Sequence, residues 1–173
     1  METDALKSKI RTVPDFPKQG ILFYDITTLL RDPVGFKEAI DSLVAPHRGQ
    51  AIDLVAGIES RGFILAAAVA DRMGVGFVPM RKPGKLPAST LKETFSLEYG
   101  SDSIEVHQDA IAAGQRVLIV DDVLATGGTA RAAAALVRRA SGDLVGLTFL
   151  IELLALNGRA QIPDERIHAV LQY

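Results

Sequence analysis

The sequence predicts an α/β domain, a twisted parallel sheet flanked by helices on both faces. Three observations predict it. Short, mostly apolar runs recur along the 173 residues, at 52–57, 75–79 and 117–121, and such runs mark strands buried on both faces. Ala-rich stretches of helical length, 63–73 and the segment after Thr129, alternate with those runs, and this alternation builds βαβ units joined by right-handed crossovers. The junctions that follow the strands are rich in Gly, Ser, Thr and charge. They belong at the carboxyl ends of the strands, where open α/β sheets bind ligands.

Each element can be justified in chain order. Residues 3–11 form a short amphipathic helix, with Ala5, Leu6 and Ile10 on one side. Residues 12–20 (TVPDFPKQG) are an extended Pro-rich connection, and 21–26 (ILFYDI) a short strand. Asp32-Pro33 is a cap followed by a favourable first helical position, so a helix runs from there to about Val44. Strand 52–57 leads through the turn Glu59-Ser60-Arg61-Gly62 into helix 63–73, and 75–79 is the next strand. Residues 80–103 differ, with Arg81, Lys82, Lys85 and Lys92, two prolines and weak periodicity. They read as a long excursion, a flexible lid with hairpin character, returning through a strand at 104–106. The strand at 117–121, its helix, and strands at 143–152 and 166–171 complete a single domain over residues 1–173.

Composition narrows the function. Hydrophobic residues make up 48% and charged residues 23%, as in a globular chain, and the net charge of −2 leaves no broad nucleic-acid footprint. With no Cys, disulfides, thiolate metal sites and Cys nucleophiles are excluded. No signal peptide and no run of ~20 apolar residues is present, so a cytoplasmic protein without membrane contact is expected. A Walker motif is absent. Pro79 stands where the third glycine of a dinucleotide fingerprint would follow Gly74-Val75-Gly76.

The most informative stretch is Arg116 to Thr129, RVLIVDDVLATGGT. A strand ends in two adjacent acids, Asp121 and Asp122. Then Ala125-Thr126-Gly127-Gly128-Thr129 turns into a helix beginning near Thr129. Free N–H groups and a partial positive charge at a helix start receive phosphate, and glycines let an anion approach the backbone. Acids just before such a cradle would accept hydrogen bonds from hydroxyls of the same ligand. A phosphate at one end and a diol beside it describes a ribose 5-phosphate. The 59–62 turn, with Arg61, and the cations Arg81, Lys82 and Lys85 suit a second anionic group. Without a ligand, 59–62 is an ordinary turn with Gly62 in the left-handed region.

This stretch closely resembles the ribose-phosphate fingerprint of type I phosphoribosyltransferases. The resemblance implies that fold, with a small N-terminal hood segment (1–32) and a flexible catalytic loop (80–103). It implies that Ala125, Thr126, Gly127, Gly128 and Thr129 hold the 5′-phosphate while Asp121 and Asp122 hold the ribose hydroxyls and favour an oxocarbenium-like transition state. Arg61 would belong to the pyrophosphate loop, often carrying a non-proline cis peptide, here between Glu59 and Ser60. Mg²⁺ would be carried mainly by the substrate's oxygens rather than by a direct protein site.

Two further stretches, 16–27 (FPKQGILFYDIT) and 84–100 with GKLP and SLEYG, resemble the adenine-using members, as do IELLALNGR and the final LQY. The similarity thus runs from about residue 10 to 173. It implies transfer from 5-phosphoribosyl 1-pyrophosphate to adenine, giving AMP and pyrophosphate. Leu22, Phe23, Tyr24 and Leu153 would line the base site, Glu98 would move a proton at the adenine nitrogens, and Tyr99 would help close the lid. The chain departs from the pattern at Tyr24, where many adenine-using members carry a basic residue. A homodimer follows from the resemblance and from the apolar N-terminal segments. Transfer to xanthine or hypoxanthine, or a non-catalytic nucleic-acid-binding regulator of the same fold, are the alternative readings.

Overall fold

The structure is a computed structural model that describes residues 2–96 and 100–173. The chain forms two compact units, Met1–Ser42 and Leu43–Tyr173.

In the first unit, α1 (Glu2–Ser8) leads to β1 (Arg11–Pro14), which pairs antiparallel with β2 (Leu22–Asp25). The connection expected at 12–20 therefore begins as a strand, because Arg11 to Pro14 find ladder partners in β2. Arg11 pairs with Asp25, and Thr28 Oγ1 donates to the Lys9 carbonyl at 2.7 Å. A short α2 (Thr27–Arg31), unmarked by sequence periodicity, precedes α3 (Pro33–Val44). Asp32 Oδ1 accepts from the N–H groups of Val34 and Gly35 at 3.0 and 2.9 Å, so α3 starts where the Asp-Pro signal puts it.

The second unit is built on β3 (Leu54–Ile58), α4 (Arg61–Met73), β4 (Gly76–Met80), β5 (Thr90–Ser96), β6 (Ser101–His107), β7 (Arg116–Leu124), α5 (Gly128–Arg139), β8 (Asp143–Glu152) and β9 (Ile167–Gln172). Among the described residues five of these make one sheet in the order β4-β3-β7-β8-β9, all parallel. From β3 the chain crosses outward to β4, and from β7 it crosses the other way to β8. Right-handed crossovers in opposite directions put α4 and α5 on opposite faces. The α5 face is the larger core, where Val117, Ile119, Leu147 and Phe149 meet Ala133, Leu136 and Val137. On the other side Gly57 admits α4, since a Cβ there would stand 2.5 Å from that of Ala66. The excursion is a β5–β6 antiparallel hairpin tied to the end of β4 by an Arg81–Glu105 bridge. Among the described residues no helix is long and apolar enough to cross a membrane.

Candidate active site

The strand order reverses between β3 and β7, and the carboxyl ends of these two strands border a cavity of about 240 Å³. A topological switch point of this kind is where open α/β sheets hold ligands. Its lining is 58–61, Lys82, Ile104 and the continuous run 121–130. Arg61, Lys82, Asp121, Asp122 and the whole of 125–129 are thus brought together. Arg81 and Lys85 are outside that lining.

The strand that carries the acids runs further than the 117–121 expected from the sequence. β7 continues to Leu124, because its pairing with β8 persists through Asp121, Val123 and Leu124 opposite Phe149, Ile151 and Glu152. The ladder outlasts the change in hydropathy, so both acids belong to the strand. Asp121 is 9% exposed and Asp122 6%. Asp121 Oδ1 accepts from the Asp122 N–H at 2.9 Å, and Arg61 Nε stands 2.8 Å from Asp122 Oδ2. Burial raises the Asp121 carboxyl well above the usual range, and the Asp122 charge raises it further. Burial also raises Asp122, with Arg61 opposing. Two carboxyls held side by side out of water are costly to ionise, and a ligand with hydroxyl donors, or a developing cation, would lower that cost.

The cradle itself is short. Gly127 lies in the left-handed region, φ +88°, as the residue before α5, and its carbonyl accepts the first helical bond from Arg131 at 2.9 Å. The helix starts at Gly128, one residue earlier than expected. A Cβ on Gly128 would come 3.2 Å from the Phe95 ring of the hairpin, so this glycine makes room for β5.

The 59–62 turn is also shorter than read. α4 begins at Arg61, and the Glu59–Ser60 peptide is cis. Gly62 is helical. Its requirement is space, because a Cβ there would collide with Asp121 Oδ1. Glu59, given no role from sequence, joins the cavity wall to the excursion. Its carboxylate accepts from the Lys82 N–H and, at 3.4 Å, from Arg81 Nη2. Lys82 Nζ pairs with Asp102 of β6, and Arg81 Nη1 donates to the Lys85 carbonyl at 3.2 Å. The Glu59 contacts and the Lys82–Asp102 pair join residues twenty or more positions apart. No local spacing announces them.

Of the residues expected from sequence to meet the base, Leu22, Phe23 and Tyr24 belong to β2 in the first unit, with Phe16 edge-on to Phe23 at 5.1 Å. Leu153 follows β8 in the second unit, its N–H donating to the Leu124 carbonyl at 3.0 Å. Glu98 and Tyr99 lie outside the described residues.

Comparison with known proteins agrees with this geometry. The family of the phosphoribosyl transferase domain matches residues 29–170. An adenine phosphoribosyltransferase of Solibacter usitatus is 59% identical over 168 residues, 97% of each chain. The crystal structure of the adenine phosphoribosyltransferase of Thermoanaerobacter pseudethanolicus superposes with a TM-score of 0.97 at 48% identity, covering 99% of both chains. That of Saccharomyces cerevisiae, complexed with D-2,5-dideoxy-2,5-imino-altritol 1,6-bisphosphate and adenine, gives 0.93 at 41% identity over 98% of both. The chain belongs to the phosphoribosyltransferase family and, within it, to the adenine phosphoribosyltransferases.

Proposed function

We propose that the chain transfers the 5-phosphoribosyl group of 5-phosphoribosyl 1-pyrophosphate to adenine, releasing AMP and pyrophosphate, as a step of purine salvage in the cytoplasm. The observation that carries this reading is the buried pair Asp121–Asp122 set directly before the 125–129 cradle at the switch point of the sheet. The N–H groups of the cradle and the hydroxyls of Thr126 and Thr129 take the 5′-phosphate. Asp121 and Asp122 take the ribose hydroxyls, and their charge favours the cationic sugar formed as the C1–pyrophosphate bond breaks. Arg61 and Lys82, from the cavity wall, neutralise the departing pyrophosphate, with Arg81 and Lys85 close by in sequence. Leu22, Phe23, Tyr24 and Leu153 receive adenine. Glu98 accepts the proton that leaves the base nitrogen as the new bond forms, while Tyr99 helps exclude water.

Asp122 is already paired with Arg61, so a hard divalent ion here would draw most of its oxygen ligands from diphosphate and water. Mg²⁺ carried by the substrate fits that donor set and would supply charge neutralisation at the leaving group. A homodimer is supported by exposed Ile64 on α4 and Phe77 on the edge strand β4.

Steady-state assay with a panel of bases tests the proposal. Adenine turns over with 5-phosphoribosyl 1-pyrophosphate and Mg²⁺, and hypoxanthine and xanthine do so at least ~100-fold less well, because a site built to bond one set of base donors leaves its own groups unpaired with another. Rapid turnover of hypoxanthine with none of adenine overturns it.

A further inference from the structure

Behind the cradle lies a second constellation of charge. Glu152, the last residue of β8, is 3% exposed. Its carboxylate accepts from Arg159 Nε at 2.6 Å, Arg159 Nη2 at 2.8 Å and Gln172 Nε2 at 3.0 Å. The remaining arm of Arg159, Nη1, donates to the Ile167 carbonyl of β9 at 3.2 Å. A forked guanidinium matched to a buried carboxylate fixes direction as well as distance.

What the fork holds is the segment Gly158–Gln161. Gly158 lies against the cradle so closely that a Cβ on it would collide with the Ala125 carbonyl and stand 3.0 Å from Leu124 Cδ1. The Gly158 carbonyl occupies the space where a Cβ of Gly127 would go, and Gln161 Cβ would be 3.0 Å from the same point. Gln161 Oε1 also accepts from Arg131 Nη1 of α5 at 3.3 Å. The turn at 125–127 has no strand ladder of its own, so its rear wall is this segment.

We propose that Glu152 and Arg159 act as a positioning clamp for the phosphate cradle, pressing Gly158 and Gln161 against Ala125 and Gly127 and so setting the spacing of the N–H groups that receive the phosphate. The inference rests on the phosphoribosyl reading of that cradle. Neither clamp residue touches substrate. Their effect is on binding of the phosphorylated end of the ligand, more than on the base.

The test is equilibrium binding of ribose 5-phosphate to the full chain, alongside steady-state kinetics, at a temperature well below the melting point of every variant. Arg159→Lys keeps the charge and loses the fork. Glu152→Gln with Arg159→Gln removes both charges and so leaves no lone buried carboxylate. Both are expected to bind ribose 5-phosphate ~10-fold more weakly and to raise the KM for 5-phosphoribosyl 1-pyrophosphate alike, with the adenine KM within about twofold of the original, as displacement of a cradle by a fraction of an ångström would do. Arg138→Ala, which breaks the Arg138–Glu165 pair between α5 and the approach to β9, leaves the affinity unchanged. If the folded clamp variants bind ribose 5-phosphate as the original does, or if Arg138→Ala weakens it equally, the clamp is overturned while the phosphoribosyl reading stands. If the unaltered chain itself fails to bind ribose 5-phosphate, both fall.

Discussion

The chemistry proposed for Asp121 comes at a cost to the fold. Its carboxyl is raised by burial and by Asp122, so the folded chain binds that proton more tightly than the unfolded chain does. Such a group contributes most stability below the unfolded value of about 4, and that contribution is lost as pH rises through the higher folded value. An ionised Asp121 therefore destabilises the fold. Asp121→Asn is expected to raise the melting temperature by about 2–4 °C, on the order of 1 kcal/mol. It should remove the loss of stability with rising pH attributable to this residue, and lower turnover by ~100-fold or more through loss of an electrostatic partner in the transition state. Thermal melts at several pH values and an activity assay check all three. A variant that is less stable at pH 8, or fully active, contradicts the account.

Among the elements, the strand–turn–helix unit was readable because hydropathy, acids and glycines fall in one short window. Its tolerances were not readable. Gly127 and Gly74 both sit at helix ends in the left-handed region, at φ +88° and +70°. A Cβ on Gly74 meets open space, whereas one on Gly127 meets the Gly158 carbonyl. Gly74→Ala is expected to cost about 1 kcal/mol of backbone strain and leave the KM for 5-phosphoribosyl 1-pyrophosphate unchanged. Gly127→Ala adds about 1–3 kcal/mol of overpacking and raises that KM. Denaturant melts with parallel kinetics separate the two, and equal effects would show that only φ matters. The same distinction corrects the 59–62 turn: Gly62 is required by its approach to Asp121 within a helix, not by its dihedral angle.

For the molecule as a whole, Ile64 on α4 and Phe77 on the outer strand β4 are 47% and 36% exposed. An outer strand with ladder partners on one side only, among the described residues, and exposed apolar side chains favour association. Sedimentation equilibrium is expected to give a dimer at micromolar concentration, and Ile64→Glu to shift it toward monomer without loss of secondary structure. A monomeric unaltered chain would remove the homodimer from the proposal.

By itself the sequence determined the α/β class, the order of the main strands and helices, and the residues 121–129 that face the cavity. Those features depend on periodicity and turn chemistry, which act over a few residues. Tertiary structure alone decided that the ladder runs on past Asp121 to take in Asp122 and that Glu59 reaches Lys82. It also decided that Gly62 gives way to Asp121 and that Glu152 and Arg159 stand behind the cradle. Each of these depends on a close approach between segments that only the packed sheet brings together. A residue's type can state what it offers, but its partner is chosen by the geometry of the whole chain.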